Sequence, residues 1–443
     1  MNKRHIFLFL CVSMLFVYPI CADEYHNQQV LVGEKAAGLG GTFVAVGDGA
    51  EACYYNPAGL TQLKISYLSV SSQIFEYKEI KGSFVGRSTK LTSMSFVPSF
   101  WGFAKDIGEY KFGFSIVVPQ YDAFKMHEEY SDVDYISLPF NTIRIDQTNN
   151  NQTYLIGPSI AKKINPNLSL GATLYFRYAD VSERSTQYFN LDTSGVKYVR
   201  EDNLESSGKV MGGTGIFGIL YKPKDEINFG LSLKLNTSAS NTIDIMNRYH
   251  KFGSGLSSAL NGFNDAYSEK QVKYSSQSPS VIILGSNWRA SKNINFATDI
   301  SYYTGVSYNT QMYGLDTTLT KYEEKRTPIE LESIVNVNFG TEFMLDNNVP
   351  FRFGFFTDRS TAPKVSGSKL DDEGDIVQQP MHVDNYGISI SSGLLSQNST
   401  MAFGVKYGWG SGRVTNLGAD GKYRIDKVKT ANYAFNLSGS YNF

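Results

Sequence analysis

The chain has 443 residues, 42% apolar and 19% charged, and its formal net charge of −1 excludes the cationic excess of a nucleic-acid binder. Aromatic residues make up 14%, nearly all Tyr and Phe, beside 40 Gly and only 13 Pro, a mixture that suits many strands better than helices. Such a length fits either two or three soluble domains or one large barrel.

Residues 1–22 read as an export signal: Lys3, Arg4 and His5 make a basic start, Ile6 to Val17 an apolar middle, and Ala22 closes the cleavage site. The apolar stretch is short of the roughly 20 residues a membrane helix needs. A second reading has Cys21 acylated, although Ile20 stands where that processing needs a small residue. Cleavage after Ala22 leaves Cys53 as the lone cysteine, so stability has to come from backbone pairing and packing, without an internal disulfide.

Residues 23–63 differ in character from the rest of the mature chain. AAGLGG (Ala36 to Gly41) and GDGA (Gly47 to Ala50) let backbone approach backbone, while Asn56 and Pro57 specify a turn. From residue 64 the pattern changes to period two. In INFGLSLKL, Ile227, Phe229, Leu231, Leu233 and Leu235 face one way, and Asn228, Gly230, Ser232 and Lys234 the other. LSLGATLYFRY repeats this from Leu168, with Tyr175 and Arg177 on the polar face.

Fourteen such segments are predicted, near 64–78, 91–105, 110–118, 152–163, 168–185, 207–222, 226–240, 279–290, 293–308, 330–345, 349–359, 384–395, 399–412 and 428–443. Connections alternate strictly between short turns (DIGE, INPN, KPK, SK, DNN, QNS) and long loops of about 12 to 38 residues, the parity of an outer-membrane barrel with both termini periplasmic. A soluble sandwich has no reason to sort its loops this way. The last segment, YAFNLSGSYNF, ends on an aromatic, as closing strands recognised by the barrel assembly machinery do. The predicted fold is thus all-β: a signal peptide (1–22), an N-terminal plug or hatch (23–63), and a transmembrane antiparallel β-barrel (64–443) of about 14 strands. Tyr175, Tyr178, Tyr302, Tyr303 and Tyr407 are candidates for interface girdles. Since about eight strands already make a barrel that side chains just fill, fourteen need a plug.

GEKAAGLGGTFVAVGDGAEACYYNPAGL resembles the hatch segment of the FadL outer-membrane transport family, the long-chain fatty acid and aromatic hydrocarbon channels. Asn56, Pro57 and Ala58 match its Asn-Pro-Ala motif, with Gly47, Asp48 and Gly49 beside it. VPSFWGFAKDIGEYKFGFSIVVP, IGPSIAKKINPNLSLGATLYF, GILYKPKDEINFGLSLKL and PFRFGFFTDRSTAP extend the likeness over nearly all the mature chain. The resemblance implies diffusive uptake of hydrophobic compounds, gated by the hatch, in a monomer of the bacterial outer membrane. It also implies capture among outer loops, here 186–206 and 241–278, and then a pocket above the hatch. Leu256, Leu260 and Phe263 fall at i, i+4 and i+7, an apolar stripe on a short loop helix, and are the loop residues expected to touch ligand. Arg177 and Lys234 are the cations placed to orient a carboxylate. The family's third strand is kinked and opens sideways to the membrane; YKFGFSIVV contains Gly113 but no break that this reading detects.

Other chemistry finds little support. His26, His127, His250 and His382 fall in the hatch and the outer loops, without a metalloprotease or nucleophile-elbow motif, so no enzyme, cofactor or metal is expected. LDDEGDI (Leu370 to Ile376) lacks the spacing of a dedicated calcium loop. Two alternatives stay open: a barrel whose long outer loops bind partners in the manner of an adhesin, and a general porin.

Overall fold

The computed structural model describes residues 25–443 apart from 65, 85–86, 136–137, 194, 238, 256–261, 316–321, 346–347, 371–375, 377, 419 and 421. Its strands are β1 (Tyr67–Phe84), β2 (Arg87–Ile107), β3 (Tyr110–Tyr135), β4 (Leu138–Asn165), β5 (Leu168–Thr193), β6 (Val196–Lys224), β7 (Ile227–Asn236), β8 (Ala239–Ser254) and β9 (Gly262–Ser276). They continue as β10 (Val281–Arg289), β11 (Ile294–Tyr303), β12 (Val306–Leu315), β13 (Tyr322–Leu331), β14 (Ile334–Leu345), β15 (Val349–Asp358), β16 (His382–Leu395), β17 (Ser399–Leu417) and β18 (Tyr423–Asn442).

Fourteen of these, all but β8, β9, β12 and β13, close into one antiparallel ring, because β1 pairs with both β2 and β18 and β5 with both β4 and β6. Among the described residues no helix is long and apolar enough to cross a membrane. The crossing is made by strands, whose backbone groups are satisfied by their neighbours all the way round. Each of the fourteen predicted segments coincides in its main part with one barrel strand.

Alternation decides which way each strand faces. On β7, Asn228, Ser232 and Lys234 are buried inside while Phe229 and Leu235 are exposed outside. Trp288, Leu284 and Ile282 of β10, Leu174 and Phe176 of β5, and Phe403 and Met401 of β17 continue the apolar outer surface, which is stable only against lipid. Aromatic rings gather on it: Tyr407 lies 5.5 Å from Trp409 and 4.9 Å from Tyr433, and Trp288 lies 5.8 Å from Phe296. Of the five tyrosines proposed for the girdles, Tyr302 and Tyr407 are exposed on this surface, but Tyr175 and Tyr303 are buried inside. Their parity in the strand, fixed by the inward-facing neighbours, overrides their residue type.

At one end the turns are tight; Gly108, at φ +61, occupies the left-handed region the β2–β3 turn requires. Tyr67 pairs with Asn442 at this same end, so the barrel begins and finishes there. At the other end the expected long loops are largely strand. β1 and β2 stay paired to Phe84↔Arg87, β3 and β4 to Tyr135↔Leu138, and β5 and β6 to Thr193↔Val196. The described residues of 79–90, 119–151 and 186–206, read as loops, are therefore paired strands that project past the membrane, where both faces tolerate polar residues and the apolar signal fades. The described residues of 241–278 likewise lie mostly on the paired strands β8 and β9, with β8 added to the outer half of β6 from Lys197↔Ser254 to Gly208↔Ile243. Phe263 is on β9, and Leu256 and Leu260 lie outside the described residues. The loop helix expected from their spacing thus does not extend to Phe263. Three histidines expected in loops are also on strands, His127 on β3, His250 on β8 and His382 on β16.

Candidate functional site

Residues 25–63 lie in the lumen. They form two short helices, α1 (Glu34–Gly38) and α2 (Ala52–Tyr55), and a 3-10 turn at Pro57–Gln62. Leu39, Phe43, Val44, Ala52, Cys53 and Leu60 are fully buried and share one apolar core with wall residues Phe100, Val117, Tyr175, Ile216 and Ile283. Burial of this kind holds the segment in place without a covalent tie.

The wall accommodates it through small residues. A side chain on Gly171 of β5 or Gly218 of β6 would collide with Asn56, Pro57 or Ala58; one on Gly230 of β7 would strike the Val44 backbone. Gly354 of β15 faces the Gly40 nitrogen and Leu39 carbonyl carbon, and a Cβ on Gly340 of β14 would sit 2.7 Å from Leu39. Gly171 pairs with Gly218, Gly230 with Gly285, and Gly340 with Gly354, so these positions lie at cross-strand register and form a belt. Backbone of the inner segment thus rests directly on backbone of the wall.

Polar atoms complete the seat. Asn56 is fully buried, donating to the carbonyls of Val44 (2.7 Å) and Ile219 (3.0 Å) and accepting from the Ala58 amide (3.1 Å). Asp299 of β11 accepts from the Phe43 (2.8 Å) and Val44 (3.1 Å) amides. Gly47 packs against Gly59, and Asp48 takes the Lys35 ammonium at 2.7 Å. The motif residues Gly47, Asp48, Gly49, Asn56, Pro57 and Ala58 are therefore all part of one compact fold. Arg352 of β15 bridges Glu34 and Glu342, and Lys35 also reaches Glu342 at 3.3 Å. Burial works against the charge of Lys35, but Asp48 and Glu342 more than offset it and hold its pKa above the ordinary value.

Lys234, expected to orient a ligand carboxylate, instead stacks its ammonium 3.5 Å from the Tyr54 ring centroid and 5.5 Å from that of Tyr55. This cation–π contact ties β7 to α2. Parity along the strand places Lys234 on the inner face but says nothing of which inner residues it meets.

Glu51 is buried and receives one hydrogen bond from Ser69 of β1 at 3.1 Å. Burial, with added repulsion from Glu34 and Asp48, raises its pKa to about 7. A segment that left this seat would lose the proton that the seated one holds, so seating would be strongest below the ordinary carboxyl range near 4.5 and would weaken as pH rises through about 7. The shift corresponds to about 3 kcal/mol. Ion current through reconstituted barrels should increase between pH 5 and pH 8, and Glu51→Gln should abolish that dependence. A flat profile in the native protein would contradict the assignment.

On the outward side of the segment is a cavity of about 130 Å³. Arg177, Gln120, Asp122, Asn151, Gln152 and Asp180 are among its lining residues, as is Gln29 of the inner segment. Next to it the wall itself is interrupted. β2 and β3 pair from Ile107↔Tyr110 to Phe100↔Val117 and then only at Thr92↔Lys125, so 93–99 of β2 and 118–124 of β3 are not paired with each other, although both stretches keep partners on β1 and β4. Extending that register sets Pro98 opposite Pro119. Neither proline has an N–H, so the pair cannot exchange ladder bonds. β1 adds register shifts around Gln73. Buried Val97 and Val118 pack with Val30 inside this break, while Met94 and Phe96 are exposed outside, which puts it at the level of lipid. The sequence carries this signal in FVPSF and VVPQ, whose prolines lie just outside YKFGFSIVV, which itself shows no break.

Neither a protein-family model nor a curated protein matches the sequence. Solved structures do match. A Pseudomonas aeruginosa FadL homologue aligns with TM-score 0.61 at 13% identity, covering 93% of this chain and 98% of its own. The Pseudomonas putida toluene transporter TodX aligns with TM-score 0.60 at 12% identity (92% and 97%), and the CymD monoaromatic hydrocarbon channel with 0.58 at 15% (93% and 97%). At such identities the likeness is one of architecture. A fourteen-stranded barrel, a lumen occupied by the chain's own N-terminal segment and small-residue contacts between the two together give this protein the fold of the FadL-type outer-membrane channels.

Proposed function

We propose that this protein is a bacterial outer-membrane channel for the diffusive uptake of hydrophobic compounds, with residues 23–63 as the hatch that closes it. The observation that carries this reading is the pairing of a filled lumen with a break in the β2–β3 ladder at lipid level. A water-filled porin needs the first to be absent, and an adhesive barrel has no use for the second. Neighbours of the same fold whose names describe toluene and monoaromatic hydrocarbon transport support the same class of cargo.

In this reading residues 1–22 direct export, both termini face the periplasm, the closing strand β18 is the element offered to the assembly machinery, and the barrel works as a monomer. Solute is first met by the projecting hairpins, where Phe263 is exposed beside the His250 ring at 5.1 Å. It then reaches the cavity beside Arg177 and leaves through the β2–β3 break, while Lys234 holds the hatch to β7.

Deleting Asp23 to Gly49 tests the hatch. Reconstituted into planar bilayers, the intact protein is expected to pass almost no ion current and the deletion variant to conduct continuously. Equal currents from both would rule out a plugging role.

A further inference from the structure

The tight-turn end of the barrel holds a larger cavity, of about 520 Å³, between the hatch and the wall. Its volume falls within the roughly 300–1,000 Å³ of sites that take a small molecule. Only six of its 23 lining residues are apolar, so a polar ligand suits it. Lys163 of β4, Lys222 of β6 and Arg289 of β10 line it, each two residues beyond a buried inward neighbour (Ala161, Leu220, Asn287), and Lys292 joins them from the β10–β11 turn. Of the two carboxylates in the lining, Asp48 is held by Lys35 at 2.7 Å, and Glu342 by Lys35 at 3.3 Å and Arg352 at 2.6 Å. Lys222 reaches the exposed Asp225 at 3.3 Å, but Lys163, Arg289 and Lys292 have no carboxylate partner among the described residues. Cations gathered in a recess of low dielectric raise the local concentration of anions.

A second feature of the lining is independent of charge. Asn228 of β7 and Asn287 of β10 stand directly opposite each other, and Asn295 of β11 pairs with Arg289, which sets it diagonally from Asn287. All three line the cavity, and the side-chain oxygen of each is buried without a hydrogen-bond partner among the described residues. Asn228 spends its amide nitrogen on the Ala45 carbonyl (3.2 Å) and on Gln62 (3.4 Å), so its oxygen is the atom left to bond. Asn287 is only 6% exposed. Buried acceptors in this condition are costly until a donor meets them. A ligand hydroxyl is such a donor, and a bare anion is not.

We infer that this cavity is a binding site for a small hydroxylated phosphate, a sugar phosphate by chemical class, with its phosphate among Lys163, Arg289 and Lys292 and its hydroxyls on Asn228, Asn287 and Asn295. Three cations around one group match the dianion of a phosphate monoester better than a single carboxylate. The ligand is a free solute and not a lipid head group, because the lipid face at this level is carried by the exposed Ile164, Tyr221 and Trp288, on the other side of the wall. The functional reading above supplies only the compartment, the periplasm; the site itself rests on the barrel's geometry.

The test is calorimetric titration of full-length mature protein in nanodiscs of zwitterionic lipid, at constant ionic strength, with glucose 6-phosphate, glucose and inorganic phosphate as probes. Glucose 6-phosphate is expected to bind at least about tenfold more tightly than either of the others. Asn287→Leu should remove its advantage over inorganic phosphate, and Asn295→Leu serves in its place if that variant fails to assemble. Arg289→Gln combined with Lys292→Gln, both at exposed positions, should weaken glucose 6-phosphate by at least about tenfold. Inorganic phosphate binding as tightly as glucose 6-phosphate would overturn the hydroxyl assignment. Undiminished glucose 6-phosphate binding by the Arg289 and Lys292 variant would overturn the site. Absence of binding by all three probes would overturn the inference as a whole and leave the uptake reading untouched.

Discussion

Gly354→Ala is expected to open the channel. The added methyl would collide with the Gly40 nitrogen and the Leu39 carbonyl carbon, both backbone atoms, so no rotamer change relieves it. Gly40 itself holds φ +67, and a Cβ there would meet the Phe355 backbone, so the inner segment has little room to shift while seated. Overpacking of this kind costs about 1–3 kcal/mol, and at the upper end that shifts the seated-to-released equilibrium by about 150-fold. The measurement is ion current in planar bilayers, with heat-modifiable gel migration confirming an intact barrel. Gly82→Ala, on β1 where nothing lies within 4 Å, controls for general effects of removing a glycine. A Gly354→Ala barrel that folds and stays as quiet as the native protein would mean the belt does not seat the hatch.

The second large effect concerns the wall. Substituting Pro98→Val and Pro119→Val together restores two N–H groups at facing positions and replaces restricted residues by strong strand formers. The ladder between Phe100↔Val117 and Thr92↔Lys125 can then close. Uptake of a hydrophobic probe into cells or proteoliposomes should fall by roughly tenfold or more, since unpaired backbone in lipid is costly and zipping relieves it. Ion current should stay at its native level because the hatch is untouched. Unchanged uptake by a variant with a paired ladder would exclude the break as the exit. Combining both experiments separates the two barriers: Gly354→Ala acts on ions and the proline pair on hydrophobic solutes.

Much of the architecture was legible because a membrane barrel simplifies the code. INFGLSLKL names its lipid face and its lumen face residue by residue, and each short turn marks where two strands meet. Hence the fourteen segments and the distinct leader could be read directly. The outer ends could not. Segments such as 142–147 (TIRIDQ) alternate just as well, but their outward residues are charged, so without a hydrocarbon boundary the pattern gave no reason to extend the strand.

Candidate site residues divide along the same line. Asn56, Pro57 and Ala58 were identifiable because turn chemistry is local, and the hydrogen bonds of Asn56 lie mostly within the leader. Arg177 and Lys234 share inward parity and positive charge, yet one lines the outer cavity and the other stacks on Tyr54.

The sequence by itself determined the number of barrel strands, the alternation of lipid and lumen faces along their cores and the presence of a small-residue leader, since each follows from period and composition over a few adjacent residues. Only the tertiary structure decided that the leader sits within the ring, that glycines of β5, β6, β7, β14 and β15 meet it at one level, and that β2 and β3 part over the stretches holding Pro98 and Pro119. Those relations depend on register between strands and on ring closure, and both are set by contacts among residues far apart in the chain.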